Sequence, residues 1–267
     1  MLSKKVKTRI RIFLLVLLLL VSAAVIILKV FGNRNNYSMN GTVQDGLNEI
    51  KKHYKVTQLD AGEYQDMRFY GLMKFHVDQY QIEKLGNLSV MTADMGVMQM
   101  VSFLITPFEK NVPMCAMDFM YILNSRKSIV EFYDLAADTN SAHYQEIQDK
   151  LKEMTARYDN IEDLPREAAW YDEYLSVVMH KKLSVDDESD NIEMFEDALS
   201  TYIEATVKMP ALSEEEMARQ HANTQNYCDG LISKGGVSTD VFKKKLGEEK
   251  THDFFNKVFF GTERYFK

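Results

Sequence analysis

Met67-Arg68-Phe69-Tyr70-Gly71-Leu72-Met73-Lys74-Phe75-His76-Val77-Asp78 is the stretch that decides the fold class. Met67, Phe69, Gly71, Met73, Phe75 and Val77 alternate with Arg68, Tyr70, Leu72, Lys74, His76 and Asp78. A period of two with one mostly polar face marks a half-exposed strand. Residues 88–91, 97–106, 114–123 and 128–135 are further strands by composition, and Asn124-Ser125-Arg126-Lys127 between the last two has the residues of a hairpin turn. Five strands in succession, with no helix between them, imply an antiparallel sheet.

Beyond residue 140 the period changes. Residues 142–158 and 167–182 read as helices separated by a break near Pro165. Ile192, Phe195, Leu199, Tyr202, Ile203 and Thr206 fall at helical spacing, and Pro210 closes that segment. Ser213 and Glu216 form a capping box ahead of the stripe Met217, His221, Gln225, Cys228 and Ile232, which stops at Gly235-Gly236. A last helix covers roughly 250–260. Strands first and helices after give an α+β domain with helices packed on the sheet.

Upstream, residues 12–28 contain no charge, and Lys29, Val30 and Phe31 bring the apolar run to bilayer-spanning length. The expected division is a basic tail at 1–11, a transmembrane helix at 12–31, a polar linker at 32–44 and a folded domain at 45–267. Lys4, Lys5, Lys7, Arg9 and Arg11 precede the run, against Lys29 and Arg34 near its far end. This bias places the tail in the cytoplasm and the domain outside a cell membrane. A cleavable signal peptide ending at Val21-Ser22-Ala23 is the alternative, opposed by the continuation of the apolar run to Leu28.

After Arg34 the chain holds 25 basic against 39 acidic residues, a net charge of −14. Such a surface repels phosphate backbones, so nucleic acid is not an expected partner. Glycine-rich phosphate loops, G-x-S-x-G, H-E-x-x-H and C-x-x-C are all missing from the sequence. The six histidines are scattered without ligand spacing, so no metal site is expected. His76 reads as a solvated strand residue and His221 as a hydrogen-bonded core histidine. Cys115 and Cys228 are either bridged to each other or two buried thiols.

Asp118 stands apart. In Met114-Cys115-Ala116-Met117-Asp118-Phe119-Met120-Tyr121-Ile122 both strand faces are apolar, so the carboxyl is interior whichever way it points. Burial costs several kcal/mol unless the group is paired or protonated, and it raises the pKa. That suits a proton donor; a structural carboxylate neutralised by Arg68 or by backbone amides is the alternative. Met91, Met95, Met98, Met100, Met114, Met117 and Met120 crowd the same region. Thioethers fill ordinary cores and also line adaptable pockets for large flat ligands.

Around these strands the sequence resembles the ferredoxin-dependent bilin reductases. The similarity runs through Phe103, Pro107, Asn111-Val112-Pro113, Asp118 five residues beyond that proline, and Tyr133-Asp134-Leu135; Gly247-Glu248-Glu249 and the aromatic run at 255–260 resemble the family's closing helix. The resemblance implies an α/β/α sandwich with a central antiparallel sheet, holding a linear tetrapyrrole such as biliverdin between the sheet and the C-terminal helices. It implies no bound cofactor and no metal, with single electrons delivered by an external iron-sulfur, ferredoxin-like donor. Asp118 becomes the proton donor, with Met100, Ser102, Met114 and Met120 as substrate-binding residues. The sequence departs from the pattern at Ser102, near where some members carry a histidine, and around Gly235-Gly236, where a second acidic residue is replaced. An outward-facing domain would also lie apart from a cytoplasmic donor. The alternative function is a non-enzymatic membrane-anchored ectodomain that binds a ligand or partner protein at the cell envelope.

Overall fold

A computed structural model describes residues 4–236 and 239–264. Residues 1–3 of the basic tail, 237–238 and the last three residues of the domain lie outside the described residues. The chain opens with α1 (Lys4–His53), followed by β1 (Val56–Leu59), β2 (Asp66–Phe69), β3 (Met73–Ile82), β4 (Gly86–Asp94), β5 (Met98–Pro107), β6 (Met114–Ile122) and β7 (Ser125–Tyr133). Then come α2 (Ala142–Ala156), β8 (Leu175–Ser184), α3 (Glu188–Val207), α4 (Glu214–Lys234), α5 (Thr239–Leu246) and α6 (Glu248–Phe254), the last running on into a wider π-type turn at Phe255–Phe259. The strands form one antiparallel sheet in the order β1-β3-β4-β5-β6-β7-β8, with β2 also paired to β3.

Strand alternation sends successive side chains to opposite faces, and each face has its own core. On one, Val101, Phe103, Cys115, Met117, Phe119, Tyr121, Val130 and Phe132 meet Leu47 and Ile50 of α1, Leu151 of α2 and Phe195, Leu199 and Tyr202 of α3. On the other, Phe75, Met91, Met100, Leu104, Met114 and Tyr133 meet Tyr227, Phe242, Phe254 and Phe260 from the C-terminal helices. The architecture is the expected α/β/α sandwich. Cys115 and Cys228 are both free and belong to opposite cores, with the sheet between them.

Four expectations need correction. The stretch 67–78 is a hairpin and not one strand: Phe69 pairs with Met73 around a turn of Tyr70, Gly71 and Leu72, in which Tyr70 takes a φ of 53° and Gly71 one of 74°. The next hairpin turns at Leu123 and Asn124, so Arg126 lies inside β7 and is fully buried. Residues 167–182, expected as a helix, contain β8, whose Val177, Met179 and Leu183 are buried in the first core at a period of two. The polar segment 32–44, expected as a linker, is an uninterrupted part of α1. Its polar residues are used for packing: Asn35 is fully buried and donates to the carbonyls of Tyr121 and Leu123, Arg34 donates to the Leu123 carbonyl at 2.7 Å, and the Thr42 and Tyr121 hydroxyls lie 2.6 Å apart. Gly46 allows the helix to approach the sheet, since a Cβ there would come within 2.7 Å of the Phe103 ring.

The first half of α1 is different. Phe13 and Leu18 are 66% and 65% exposed, and the helix from Ile10 has an apolar window with a mean hydropathy of 3.0. It is long and apolar enough to cross a bilayer, a property that a signal sequence shares.

Arg126 pairs with Glu188 at 2.5 Å and lies over the Tyr121 ring at 5.0 Å. Removing one partner of a buried pair strands the other charge. Glu188→Gln should therefore lower unfolding stability by about 3 kcal/mol, measured by denaturant titration. Glu162→Gln, which breaks the exposed pair with Lys182, should cost less than about 1 kcal/mol.

Candidate functional site

Cross-strand register brings the candidate residues together. Ser102 on β5 is opposite Asp118 on β6, Met100 is opposite Met120, Asp118 is opposite Ile129 on β7, and Ile129 is opposite His180 on β8. Directly opposed residues share a face. Asp118, Met100, Ser102, Met114 and Met120 thus all point toward the C-terminal helices, where Met100 and Met114 join the second core and Met120 packs against it. Of the crowded methionines, Met117 alone is assigned to the opposite core.

Asp118 keeps some accessible surface, yet it is enclosed enough that burial dominates its ionisation. Burial pushes its pKa up to about 6; the Ser102 hydroxyl opposes this, the Glu131 carboxylate adds to it, and the His180 imidazole opposes it. Arg68, expected as a neutralising partner, is instead exposed on β2 at the far side of the sheet order. Among the described residues no Lys or Arg forms an ion pair with Asp118.

The surrounding polar groups were not legible in the sequence. Glu131, two residues along β7 from Ile129 on the same face, accepts from the Tyr133 hydroxyl, meets His180 Nε2 at 3.0 Å and lies 4.0 Å from Arg166. Arg166 is tied in turn to Asp172, which also accepts from the Ala169 backbone. Tyr171 comes from the same loop, and burial, the Glu131 charge and a smaller effect of Asp118 hold its hydroxyl protonated. Glu131 and His180 lie on one strand face only because β8 is a strand, and Arg166 and Tyr171 are brought in by the irregular segment before it. Trp170, Tyr171, Tyr174 and Tyr227 form an aromatic wall beside Tyr133.

The floor of this site is unevenly covered. At one end Leu104, Met114 and Tyr133 are buried, whereas Met98, Met120, Ile122, Ile129 and His180 are only half-buried and Val178 is 38% exposed. This part of the face is therefore a partly uncovered surface, referred to below as the cleft, lined by thioethers and aliphatic groups with a row of ionisable and hydroxyl groups along it. Two surface cavities of about 510 and 490 Å³ lie elsewhere. One is lined by Asn124, Asn160, Lys182 and Asp187, the other by Met67, Phe75, His76 and Asp94. His76 is half-exposed between Asp66 and Asp78, and His221 meets the Thr262 carbonyl at 2.9 Å, both in keeping with their expected structural roles. Among the described residues there is no cluster of His, Cys, Asp and Glu suited to a metal ion.

Chemically, this face combines apolar surface with a carboxyl whose pKa burial raises to about 6, and with Glu131, His180 and Arg166 linked to one another beside it.

No family model matches the chain, and no curated protein matches it by sequence. Its fold is similar to that of a solved structure, the crystal structure of phytochromobilin synthase from tomato in complex with biliverdin, with a TM-score of 0.70 at 13% identity, over 85% of this chain and 84% of that one.

Proposed function

We propose that this chain is a membrane-anchored oxidoreductase of bilin-reductase type, which binds a linear tetrapyrrole on the β5–β8 face and reduces it with single electrons from an external donor. The observation that carries this reading is Asp118: a partly enclosed carboxyl of raised pKa, in the middle of an apolar cleft, in a fold shared with a protein solved with biliverdin. Met100, Ser102, Met114 and Met120 form the floor around it.

Adding hydrogen across one double bond of a tetrapyrrole takes two electrons and two protons. The electrons come one at a time from outside; Asp118 delivers one proton to the ligand, is reprotonated from solvent and then delivers the second. A carboxyl of pKa about 6 is protonated in roughly one molecule in ten at pH 7. A ligand lying over it removes more water and favours the acid form further. Glu131, held by Tyr133 and His180, keeps negative charge nearby and acts in the same direction. The apolar segment of α1 anchors the domain, and the basic tail favours a cytoplasmic N-terminus with the domain outside. A donor outside the cytoplasm is then required.

The non-enzymatic alternative is separated by pigment. The chain in detergent, titrated with biliverdin, should shift the visible absorption of the pigment and induce circular dichroism in it; an unchanged spectrum would leave a binding module for some other partner. Asp118→Asn should bind biliverdin within about threefold of the parent but lose at least about a hundredfold in reduction rate under a chemical one-electron donor. Full turnover by that variant would remove Asp118 from the mechanism.

Asp118 also gives a sign test. Its folded pKa of about 6 exceeds the usual 3.8, so the folded state holds this proton more tightly than the unfolded chain. Its contribution is most favourable below pH 4 and is lost as pH rises toward 6, a loss of about 2 kcal/mol once residual solvent contact is allowed for. The stability of Asp118→Asn relative to the parent should therefore rise by about that amount between pH 4 and pH 7, as followed by thermal unfolding. A pH-independent difference would mean that the carboxyl titrates normally.

A further inference from the structure

The apolar run of α1 ends at Phe31, and one residue later the helix meets the sheet. A Cβ at Gly32 would lie 3.7 Å from the Gly96 carbonyl in the β4–β5 turn, and Arg34 and Asn35 bond to Leu123 in the β6–β7 turn. Thr42 then meets Tyr121 and Gly46 meets Phe103, so α1 runs from the hairpin end of the sheet toward its other end. The β2–β3 turn belongs to the hairpin end too, because Lys74 pairs with Asp94. Two turns thus stand beside the helix where its apolar run stops, and the β2–β3 turn lies at the same end of the sheet.

These turns carry apolar side chains into solvent: Leu72 is 78% exposed, Tyr70 52%, Val97 48% and Leu123 37%. Lys245 of α5 lies over the Tyr70 ring at 3.3 Å, and Arg34 over Phe31 at 4.9 Å. Tyrosine with lysine or arginine, beside exposed aliphatic groups, is the mixture that settles at a membrane interface. The β3–β4 turn at the opposite end shows the contrast, with exposed Glu83 and Lys84 and a buried Leu85.

We infer that the hairpin end of the sheet docks on the lipid bilayer that α1 enters, with Leu72, Tyr70, Val97 and Leu123 in the interfacial layer. This rests on α1 being a membrane anchor. The occupant is the bilayer itself, because continuous helix and direct bonds to the β6–β7 turn leave these tips nowhere else to lie once the apolar run is inserted. Asp186 and Asp187 occupy an outer corner of the same end beyond β8, so with Lys245 and Arg34 this end carries both signs and the contact rests on its apolar tips.

Docking also orients the site. Met98, Met120, Ile122 and Ile129, the half-covered part of the cleft floor, lie toward the hairpin end. Asp118 is five residues from Leu123 along β6, about 17 Å at strand rise. The open mouth of the cleft faces the lipid surface, and the ligand class it admits is an amphiphilic, membrane-partitioning one.

The test uses the full chain in phosphatidylcholine nanodiscs, with single cysteines Leu18→Cys, Leu72→Cys, Val97→Cys and Glu83→Cys carrying an environment-sensitive fluorophore. Cys115 and Cys228 are buried and stay unlabelled in the folded protein, and Trp170 emission reports folding of each variant. Nitroxide placed just below the lipid headgroup should quench the fluorophores at 72 and 97 at least threefold more than the one at 83, with 18 quenched by nitroxide deeper in the chain region. Labels at 72 and 97 that behave like 83 while 18 is quenched would overturn docking and leave the anchor standing. An unquenched label at 18 would overturn the anchor and docking together.

Discussion

The alternation of side chains along β6 is the constraint on which the rest of the molecule depends. Nine residues cross the centre of the sheet, and their parity assigns Cys115, Met117, Phe119 and Tyr121 to one core and Met114, Ala116, Asp118 and Met120 to the other side. A slip of one residue would carry Asp118 under α1 and α3 and send Phe119 into the cleft. The pairing is held against such a slip from both flanks: nine registered partners with β7, eight with β5, and turns at either end. The chemistry of the cleft is thus a by-product of a register chosen by apolar burial on the opposite face.

That opposite face explains the gap between local propensity and structure in α1. Asparagine and glycine are poor helix formers, and a segment reading Gly-Asn-Arg-Asn-Asn followed by Asn-Gly looks like a joint. Here three of the weak helix formers are exchanged for tertiary contacts: Asn35 serves strand-end carbonyls, Gly32 clears the β4–β5 turn and, further along, Gly46 seats the Phe103 and Phe195 rings, whereas Asn33 and Asn40 stay exposed and Gly41 has open space around it. Composition carried the right signal, that these positions are unusual, without saying whether flexibility or close approach made them so.

The same distinction accounts for what was legible. Central strands announce themselves because both faces are buried and their apolar runs are long, so β5, β6 and the caps of α4 are recovered nearly in place, while β4 is expected too short and β7 begins three residues earlier than expected. β8 was not, because it is an edge strand whose outward face carries Val178, His180 and Lys182 while Lys181 is buried by its stem and paired to Asp163. A buried lysine breaks the binary pattern that periodicity relies on. Losing β8 hid His180 and the setting of Glu131, which are the polar half of the candidate site. Asp118 was visible because a lone charge between apolar neighbours on both parities needs no topology to be conspicuous. The hairpin at Tyr70 was missed for the converse reason: a three-residue turn with apolar members continues the alternation while reversing the chain.

One consequence of an unjointed α1 concerns rotation. The azimuth of the apolar segment and that of the sandwich are locked in a single helical phase, since every residue from Phe31 to Asn35 is helical and the sheet grips the last of them. One residue inserted there would turn the apolar segment by about 100° and lift it 1.5 Å, leaving the sandwich internally unchanged. Whatever grips the flank of that segment thereby selects which edge of the sheet it meets, β1 or β8, and a change of phase would redirect the encounter without altering a single contact surface.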